Sequence, residues 1–368
     1  MVTLDPRADI PVEEINGVRV ERIRLPNIYW PFPSKKRPRL LKLAWHAIDH
    51  FNPVAAGRVS KALKDFRPEI VQTHNLVGFS TAVWPAIARM GLPIIHVLHD
   101  YYLLCVNSTM VHGGVCHRGR HGWCRYARAL QCEHSRAVST VVGVSQFILD
   151  THLDAGVFPN ATTRLVINNG YDVPPANKAI ISEGVDRDPA GPLKVGYLGQ
   201  LVGVKGLRPL LSAVGTLPPD RLSLTIAGAG EESYVQGLKK NHRLPNVRFV
   251  GKVNSAAFFS QIDVLCVPSI WHDPLPTVVF EAFAHGIPVI GSRMGGITEM
   301  IDDGVTGRLL PPGDVEALAS ALGEFAEQPE RLRQMRKNAL SKARDFTVAR
   351  NIAGYARLHL ESPLVRAA

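Results

Sequence analysis

A lysine set among glycines at a strand-to-helix turn is suited to meeting an anion, and this chain has one. The run LKVGYLGQLVGVKGLRPLLSAV places Gly199, Gln200, Gly203, Lys205 and Gly206 between a strand pattern and a helical pattern. Small residues let backbone N–H groups approach a ligand, a helix N-terminus favours negative charge, and Lys205 adds a full cation. The spacing is neither Gly-x4-Gly-Lys-Ser/Thr nor Gly-x-Gly-x-x-Gly, so taken alone it reads as a glycine turn with a surface lysine. The densest stretch lies further on, in SIWHDPLPTVVFEAFAHGIPVIGSRMGGITEMIDDGVTGRLLPPGD. Pro276 can start a helix there, which puts Glu281 in its first turns, where a carboxylate accepts two hydrogen bonds from a vicinal diol. An exposed helical glutamate is the plain alternative. Gly295 and Gly296 follow a strand and precede a helix, a second backbone nest for an anion. Gly228 and Gly230, followed by Glu231 and Glu232, read as a tight turn with no chemistry of its own.

The first half offers histidines. His99-Asp100 follow the strand pattern LPIIHVL, and His74-Asn75 follow EIVQTH in the equivalent place. A strand-end imidazole can act on a proton or a developing charge, although a lone one is more often structural. Four of the five cysteines cluster, Cys105, Cys116, Cys124 and Cys132, among His112, His117, His121 and His134. Without a Cys-x-x-Cys knuckle a structural zinc is the weaker reading, and thiols in a loop the stronger. Cys266, in an apolar strand, is core packing.

These residues need elements to hold them. Strand patterns fall at 69–74, 92–98, 139–144 and 163–169, with helices around 79–90, 122–136 and 145–155. A second alternation follows through LKVGYLG, LSLTIAG, VRFVG, DVLCVPS, PVIGS and GRLLP. Strands alternating with helices imply βαβ units and parallel sheets. Residues 173–192 mix Pro, Gly and charge without period, as a linker does. The expected layout is two Rossmann-like domains facing a central cleft. Residues 1–172 would form one domain and 193–345 the other, with a helix following over 346–368. Ligands in such folds sit beyond the carboxyl ends of the strands.

With 368 residues, 46% hydrophobic and 20% charged, the composition is that of a globular chain, and disorder, collagen and coiled coil are excluded. No apolar run approaches ~18 residues and no secretory leader opens the chain, so a cytoplasmic protein is expected. The net charge of +10 is concentrated. Residues 19–67 hold twelve Lys/Arg against Glu21, Asp49 and Asp65. Within them IYWPFPSKKRPRLLKLAW flanks Lys35, Lys36, Arg37 and Arg39 with Tyr29, Trp30, Phe32 and Trp45. That suits the inner face of an anionic membrane, and equally a solvated face. Nucleic acid is the weaker reading, for no recognition motif accompanies the charge.

The motifs in combination resemble the retaining glycosyltransferases of family 4. YLGQLVGVKG is similar to that family's Gly-Arg-Leu-x4-Lys-Gly, and WHDPLPTVVFEAFAHGIPVIGSRMGGITEMI to its Glu-x7-Glu with trailing Gly-Gly-x-x-Glu. VINNGYD resembles the family's Asn-Gly-x-Asp and VLHDYYLLC its first-domain His-Asp, so that the likeness runs from about residue 60 to 345. It implies the GT-B fold, with residues 1–172 as the acceptor side, 193–345 as the donor side and 346–368 a C-terminal helix crossing back, and transfer of a sugar from a UDP- or GDP-sugar to a glycan or lipid-linked acceptor, with retention and no cofactor required. It further implies Lys205 with Gly199 and Gln200 on the donor diphosphate, and Glu281 on the ribose. Gly295, Gly296 and Ile297 would offer amides, with His99 at the donor sugar and Asp273 beside it. A nucleotide-sugar epimerase or a sugar phosphorylase is the nearest alternative in the fold. From another class, the chain could be an inactive nucleotide-sugar-binding partner. Oxidoreduction with NAD would require Gly-x-Gly-x-x-Gly after a first strand, which is not here.

Three departures stand out. Gln200 replaces an Arg, and Asp273 replaces the first Glu of the signature, one methylene shorter. The family's opening strand, Gly-Gly loop and long helix have no counterpart, so the first domain is expected to be incomplete, with an apolar sheet face exposed and stability or activity poor.

Overall fold

The computed structural model describes residues 1–6, 12–31, 37–111, 116, 122–172 and 191–361. The chain forms two compact units, one of residues 1–167 with 357–368 and one of residues 168–356. The expected linker falls almost wholly outside the described residues.

In the first unit, β1 (Val2–Asp5), β2 (Glu13–Ile15) and β3 (Val18–Arg24) form a sheet of order β1-β3-β2. Helices α1 (Arg39–His50) and α2 (Pro53–Phe66) follow. Asn52 caps α2 by accepting the Ala55 N–H at 3.0 Å, and Pro53 takes the first position, where its missing N–H costs nothing. Next come β4 (Val71–His74), α3 (Val83–Ala88), β5 (Ile94–Leu98), α4 (Gly122–Ala127), α5 (Ala129–His134), β6 (Thr140–Gly143), α6 (Gln146–Asp154) and β7 (Thr163–Val166). The strands of this second set lie in the order β4-β5-β6-β7, all parallel. The helix expected over 122–136 is two helices, broken at Arg128, whose backbone leaves the helical range. Much of the stretch 19–67, read as basic, is helical, over Arg39–His50 and Pro53–Phe66.

Among the described residues, β1 and β4 each leave one edge unpaired. A cavity of 540 Å³ lies between them, lined by Val2 and Thr3 of β1, by Val71 and Thr73 of β4, and by Val59, Leu63 and Phe66 of α2. Parallel sheets are ordinarily covered and continuous, so an apolar gap between two strand edges departs from the rule.

The second unit contains β8 (Leu193–Leu198), α7 (Leu207–Gly215), β9 (Leu222–Ala227), α8 (Glu232–Asn241), β10 (Val247–Gly251), α9 (Ser255–Phe259), β11 (Val264–Val267), α10 (Thr277–Ala284), β12 (Val289–Ser292), α11 (Ile297–Met300), β13 (Gly307–Leu310), α12 (Val315–Glu327) and α13 (Pro329–Lys342). The last helix, α14 (Val348–Glu361), passes from this unit into the first. Every strand read from the sequence in this half is present, in a parallel sheet of order β10-β9-β8-β11-β12-β13. Leu193, Val195, Leu224, Ile226, Val264 and Cys266 are buried in its core with Leu210, Leu211, Leu322 and Phe325 of the helices. β11 and β12 are buried at every position, which explains why they read as unbroken apolar runs.

Candidate functional site

The strand order of the second unit reverses between β8 and β11. From β8 the chain winds outward through β9 and β10, then returns to β11 and winds the other way. Loops leaving two such neighbours diverge and open a crevice at the carboxyl ends. A cavity of 390 Å³ lies there, lined by Tyr197, Gly199, Gln200, Lys205, Ser269, Trp271, Asp273 and Thr277. It is smaller than the apolar gap in the first unit, but here charged and backbone groups converge, which a specific polar ligand requires.

Lys205 ends a single 3₁₀ turn (Gly203–Lys205) that leads into α7. Its ammonium donates to Asp273 Oδ2 and lies 5.2 Å from the ring centre of Trp271. The Lys205 side chain is 24% exposed and that of Asp273 is 9% exposed, so this is a half-dry ion pair with an aromatic wall. The turn is tied to the loop after β11 by the Ile270 N–H, which donates to Val204 O at 2.8 Å. Tyr197 Oη donates to Gln200 O at 2.8 Å, and burial, with the charge of Asp273 among the lesser causes, raises its phenol pKa. Gln200 thus shapes the rim through its backbone while its side chain carries no charge.

Asp273 is held by its own backbone as well. The Gly296 N–H donates to Asp273 O at 2.8 Å. Gly295 adopts a φ of +54°, and a β-carbon there would stand 2.4 Å from the same carbonyl oxygen. Two of the amides expected to face an anion are hydrogen-bonded within the loop. Gly296 N–H is used on Asp273, and Ile297 N–H donates to Met294 O at 3.2 Å, so neither faces the cavity as an anion donor. The Ile297 side chain is fully buried. The glycine pair positions the Asp273 loop by close backbone approach, a job that spacing alone could not distinguish from a nest.

Pro276 caps α10 from outside rather than starting it. Thr277 and Val278 line the cavity, and Glu281 lies four and three positions on, along the same helical face. Glu281 is half-buried near Tyr171, whose phenol pKa is raised by burial first and by the Glu281 carboxylate second. Tyr171 belongs to the VINNGYD motif, so the structure brings that motif to the glutamate.

In the first unit, alternation along the parallel pair β4 and β5 sorts the side chains onto two faces. Thr73 and His96 point into the core, where Thr73 Oγ1 and His96 Nδ1 are 2.9 Å apart and Trp84 packs edge-on against the imidazole. His74 and His99 meet on the other face, His74 Nδ1 lying 2.8 Å from His99 Nε2. Burial, then the neighbouring His74, depresses the His99 pKa to about 4, so the ring is neutral near pH 7. Asp100 caps the following turn by accepting the Tyr102 N–H at 2.8 Å.

One buried cluster gave no sequence signal. Asp49, from α1, accepts Tyr102 Oη at 2.7 Å and the Gly78 N–H at 2.7 Å, while the Arg128 guanidinium lies 4.7 Å over the Tyr102 ring. Burial pushes the Asp49 carboxyl up to about 6, against those hydrogen bonds. These residues lie 24 to 79 positions apart in sequence, which no local pattern could have linked. Trp271 was likewise invisible as a partner of Lys205. None of the five cysteines forms a disulfide, with Cys105 and Cys124 buried. His112, His117 and His121 lie outside the described residues.

Comparison with known proteins matches both halves. The family profile "Glycosyl transferase 4-like domain" matches residues 1–170, and "Glycosyl transferases group 1" matches residues 184–342. A 42.6 kDa protein of the cps region of Klebsiella pneumoniae is 29% identical over 291 residues, covering 78% of this chain and 74% of that protein. Glycogen synthase of Mycobacterium tuberculosis is 27% identical over 307 residues, covering 78% and 68%. Among solved structures, sucrose-phosphate synthase of Thermosynechococcus elongatus aligns with a TM-score of 0.74 and 21% identity, over 100% of this chain and 89% of that one. The Anabaena protein HepE in complex with UDP aligns with a TM-score of 0.69 and 21% identity, over 93% and 86%. Two parallel α/β units, a cation-bearing crevice at the strand-order reversal of the second, and profile matches to both halves lead to one conclusion: the chain belongs to the group 1 glycosyltransferases of GT-B fold.

Proposed function

We propose that this glycosyltransferase moves a sugar from a UDP- or GDP-sugar to a glycan or lipid-linked acceptor, with retention at the anomeric carbon. The observation that carries the reading is the crevice at β8 and β11. There Lys205 supplies a cation at a 390 Å³ cavity, with Asp273 beside it and Glu281 continuing the cavity face of α10. Lys205 takes the donor diphosphate, Glu281 the ribose hydroxyls, and Asp273 a hydroxyl of the donor sugar. His99, in the first unit, acts on the sugar as a neutral imidazole. Fixed charge and backbone dipoles then stabilise the leaving diphosphate without a metal. The Anabaena protein's structures with UDP and with UDP-glucose support a uridine donor.

Calorimetric titration with UDP and GDP, beside a Glu281→Ala variant, tests the donor site. One nucleotide should bind to the wild type and lose about tenfold or more in affinity to the variant, since two hydrogen bonds to a carboxylate vanish. Equal binding by both proteins would remove Glu281 from the site. A second variant separates charge roles. Asp273→Asn frees Lys205 from its partner and should tighten UDP binding by roughly tenfold while lowering turnover. Weaker UDP binding by that variant would contradict the assignment of the phosphate to Lys205.

A second reading, an inactive nucleotide-sugar-binding partner, is favoured by one feature: Gln200 adds no cation and Asp273 balances the charge of Lys205. Hydrolysis or transfer of a radiolabelled donor sugar by the purified chain decides between the two.

Membrane contact is a finer proposal. Trp45 is 4% exposed and donates its Nε1–H to Tyr29 O at 3.0 Å, so it is a core residue and not an interfacial one. On α1, however, Leu40 is 80% and Leu43 63% exposed, beside Arg39 and Lys42. Basic and apolar side chains on one exposed helix suit an anionic bilayer, and no helix among the described residues is long and apolar enough to cross one. Neutralising Lys35, Lys36, Arg37 and Arg39 should weaken binding to phosphatidylglycerol vesicles by about tenfold or more. Unchanged binding would remove the proposal.

A further inference from the structure

His99 is the end of a chain of four side chains. His359, near the end of α14, places Nε2 2.8 Å from Gln72 Oε1. Gln72 Nε2 is 2.8 Å from His74 Nε2, and His74 Nδ1 is 2.8 Å from His99 Nε2. Gln72 and His74 are two apart on β4 and so share a face. His74 is paired in register with Val97, which puts His99, two residues further along, diagonally across from it.

With Gln72 Oε1 turned to His359 and Nε2 to His74, proton bookkeeping along this chain has one solution. Gln72 Nε2 only donates, so His74 Nε2 accepts and the single proton of neutral His74 sits on Nδ1. That proton is donated to His99 Nε2, which must therefore be bare, and the His99 proton sits on Nδ1. At the other end Gln72 Oε1 accepts from His359 Nε2–H. Reversing the Gln72 amide would reverse every link: His74 would then carry its proton on Nε2, and His99 would donate Nε2–H to His74. The Nδ1 of His99 would change from donor to acceptor. The amide of Gln72 is thus the element that selects between two tautomers, and His359, as an Nε2–H donor, holds the amide in the first sense. His99 Nδ1 has no partner among the described residues, so it is the atom left for substrate.

We propose that Gln72, His74 and His359 are positioning residues that hold His99 as the Nδ1–H tautomer and present a hydrogen-bond donor at its open nitrogen. The inference rests on the assignment of His99 to the donor sugar, and it deepens that reading. A fixed donor serves an oxygen that gains negative charge, whereas a bare nitrogen would serve a proton to be removed. Free imidazole prefers the proton on Nε2, so this chain of bonds opposes the intrinsic preference and must be built to do so. The low pKa of His99 agrees, because a charged His99 would set its Nε2–H against the Nδ1–H of His74.

The test reads tautomers and not turnover. Long-range proton–nitrogen correlation spectra of the ¹⁵N-histidine-labelled chain near pH 7 should show His99 protonated on Nδ1. In Gln72→Glu the carboxylate can only accept, so His74 must carry Nε2–H and the His99 proton should move to Nε2. His359→Leu should leave His99 a mixture of the two forms, and His359→Gln, which can still donate to Gln72, should restore Nδ1–H. If Gln72→Glu fails to fold, the two His359 variants carry the test by themselves. A wild-type His99 protonated on Nε2 overturns the proposal. So does a His99 whose tautomer ignores the His359→Leu change. Steady-state kinetics on the same proteins keep the two readings apart. A tautomer shift that lowers kcat about tenfold at unchanged donor KM upholds both. A tautomer shift with kcat unchanged upholds the chain of bonds and removes His99 from the reaction.

Discussion

Lys205→Ala should lower the turnover number for sugar transfer by about 10²–10³-fold, the usual loss when one preorganised charge is removed from a developing anion. Lys205 is the one cationic side chain lining the crevice among the described residues, and Gln200 offers no charge to replace it. The variant also leaves the Asp273 carboxylate, 9% exposed, without its ion-pair partner. An unpaired, nearly buried charge destabilises the fold, and that would confuse the comparison. The double variant Lys205→Met with Asp273→Asn removes both charges and should melt near the wild-type temperature while remaining inactive. Turnover within a few-fold of wild type in Lys205→Ala, with donor KM unchanged, would mean that the diphosphate is held elsewhere.

Gly206→Ala should be among the most damaging single methyls in the second unit. Gly206 sits directly after Lys205, caps α7 with a φ of +75°, and would place a β-carbon 1.7 Å from the carbonyl oxygen of Pro268. Backbone, not a flexible side chain, stands in the way, so either the Lys205 turn or the end of β11 must move. Positive φ adds about 1 kcal/mol of its own for an L-residue. A total loss of about 4 kcal/mol is expected, which for a unit of this size lowers Tm by roughly 10 °C. Gly203→Ala is the internal control, three residues away in the same turn, where an added β-carbon meets nothing within 4 Å. Differential scanning calorimetry should show Gly203→Ala near wild type and Gly206→Ala far below it. Equal melting temperatures would show that the close approach at Pro268 is not maintained in solution.

Because both variants flank Lys205, the pair also separates position from charge. Gly206→Ala keeps the ammonium but displaces it, and loss of UDP binding at a temperature where the protein is still folded would trace to geometry. That links the backbone approach at the end of β11 to the chemistry at the crevice.

What could be read in the sequence was what is local and periodic. The central strands of the second unit were legible because β11 and β12 are buried at every position and therefore written as apolar runs, and the turns after the strands because glycine and lysine cluster there. Lys205 and Glu281 could be singled out since each lies at a turn or helix start of recognisable type, and Asp273 only through the family resemblance. The helices over 39–66 were hidden by their basic residues, and the break at Arg128 by the continuous pattern around it. Tertiary structure alone decided the rest. That Lys205 is matched by Asp273, 68 residues away, that the Gly296 amide is used on Asp273, and that His99 ends a chain begun at His359 are contacts between distant segments. Periodicity assigns a residue to a face, but which two faces meet is set by the order of strands in a sheet and the path of the crossovers. A sequence of one-dimensional neighbours contains that order only through the packing energy of the whole core.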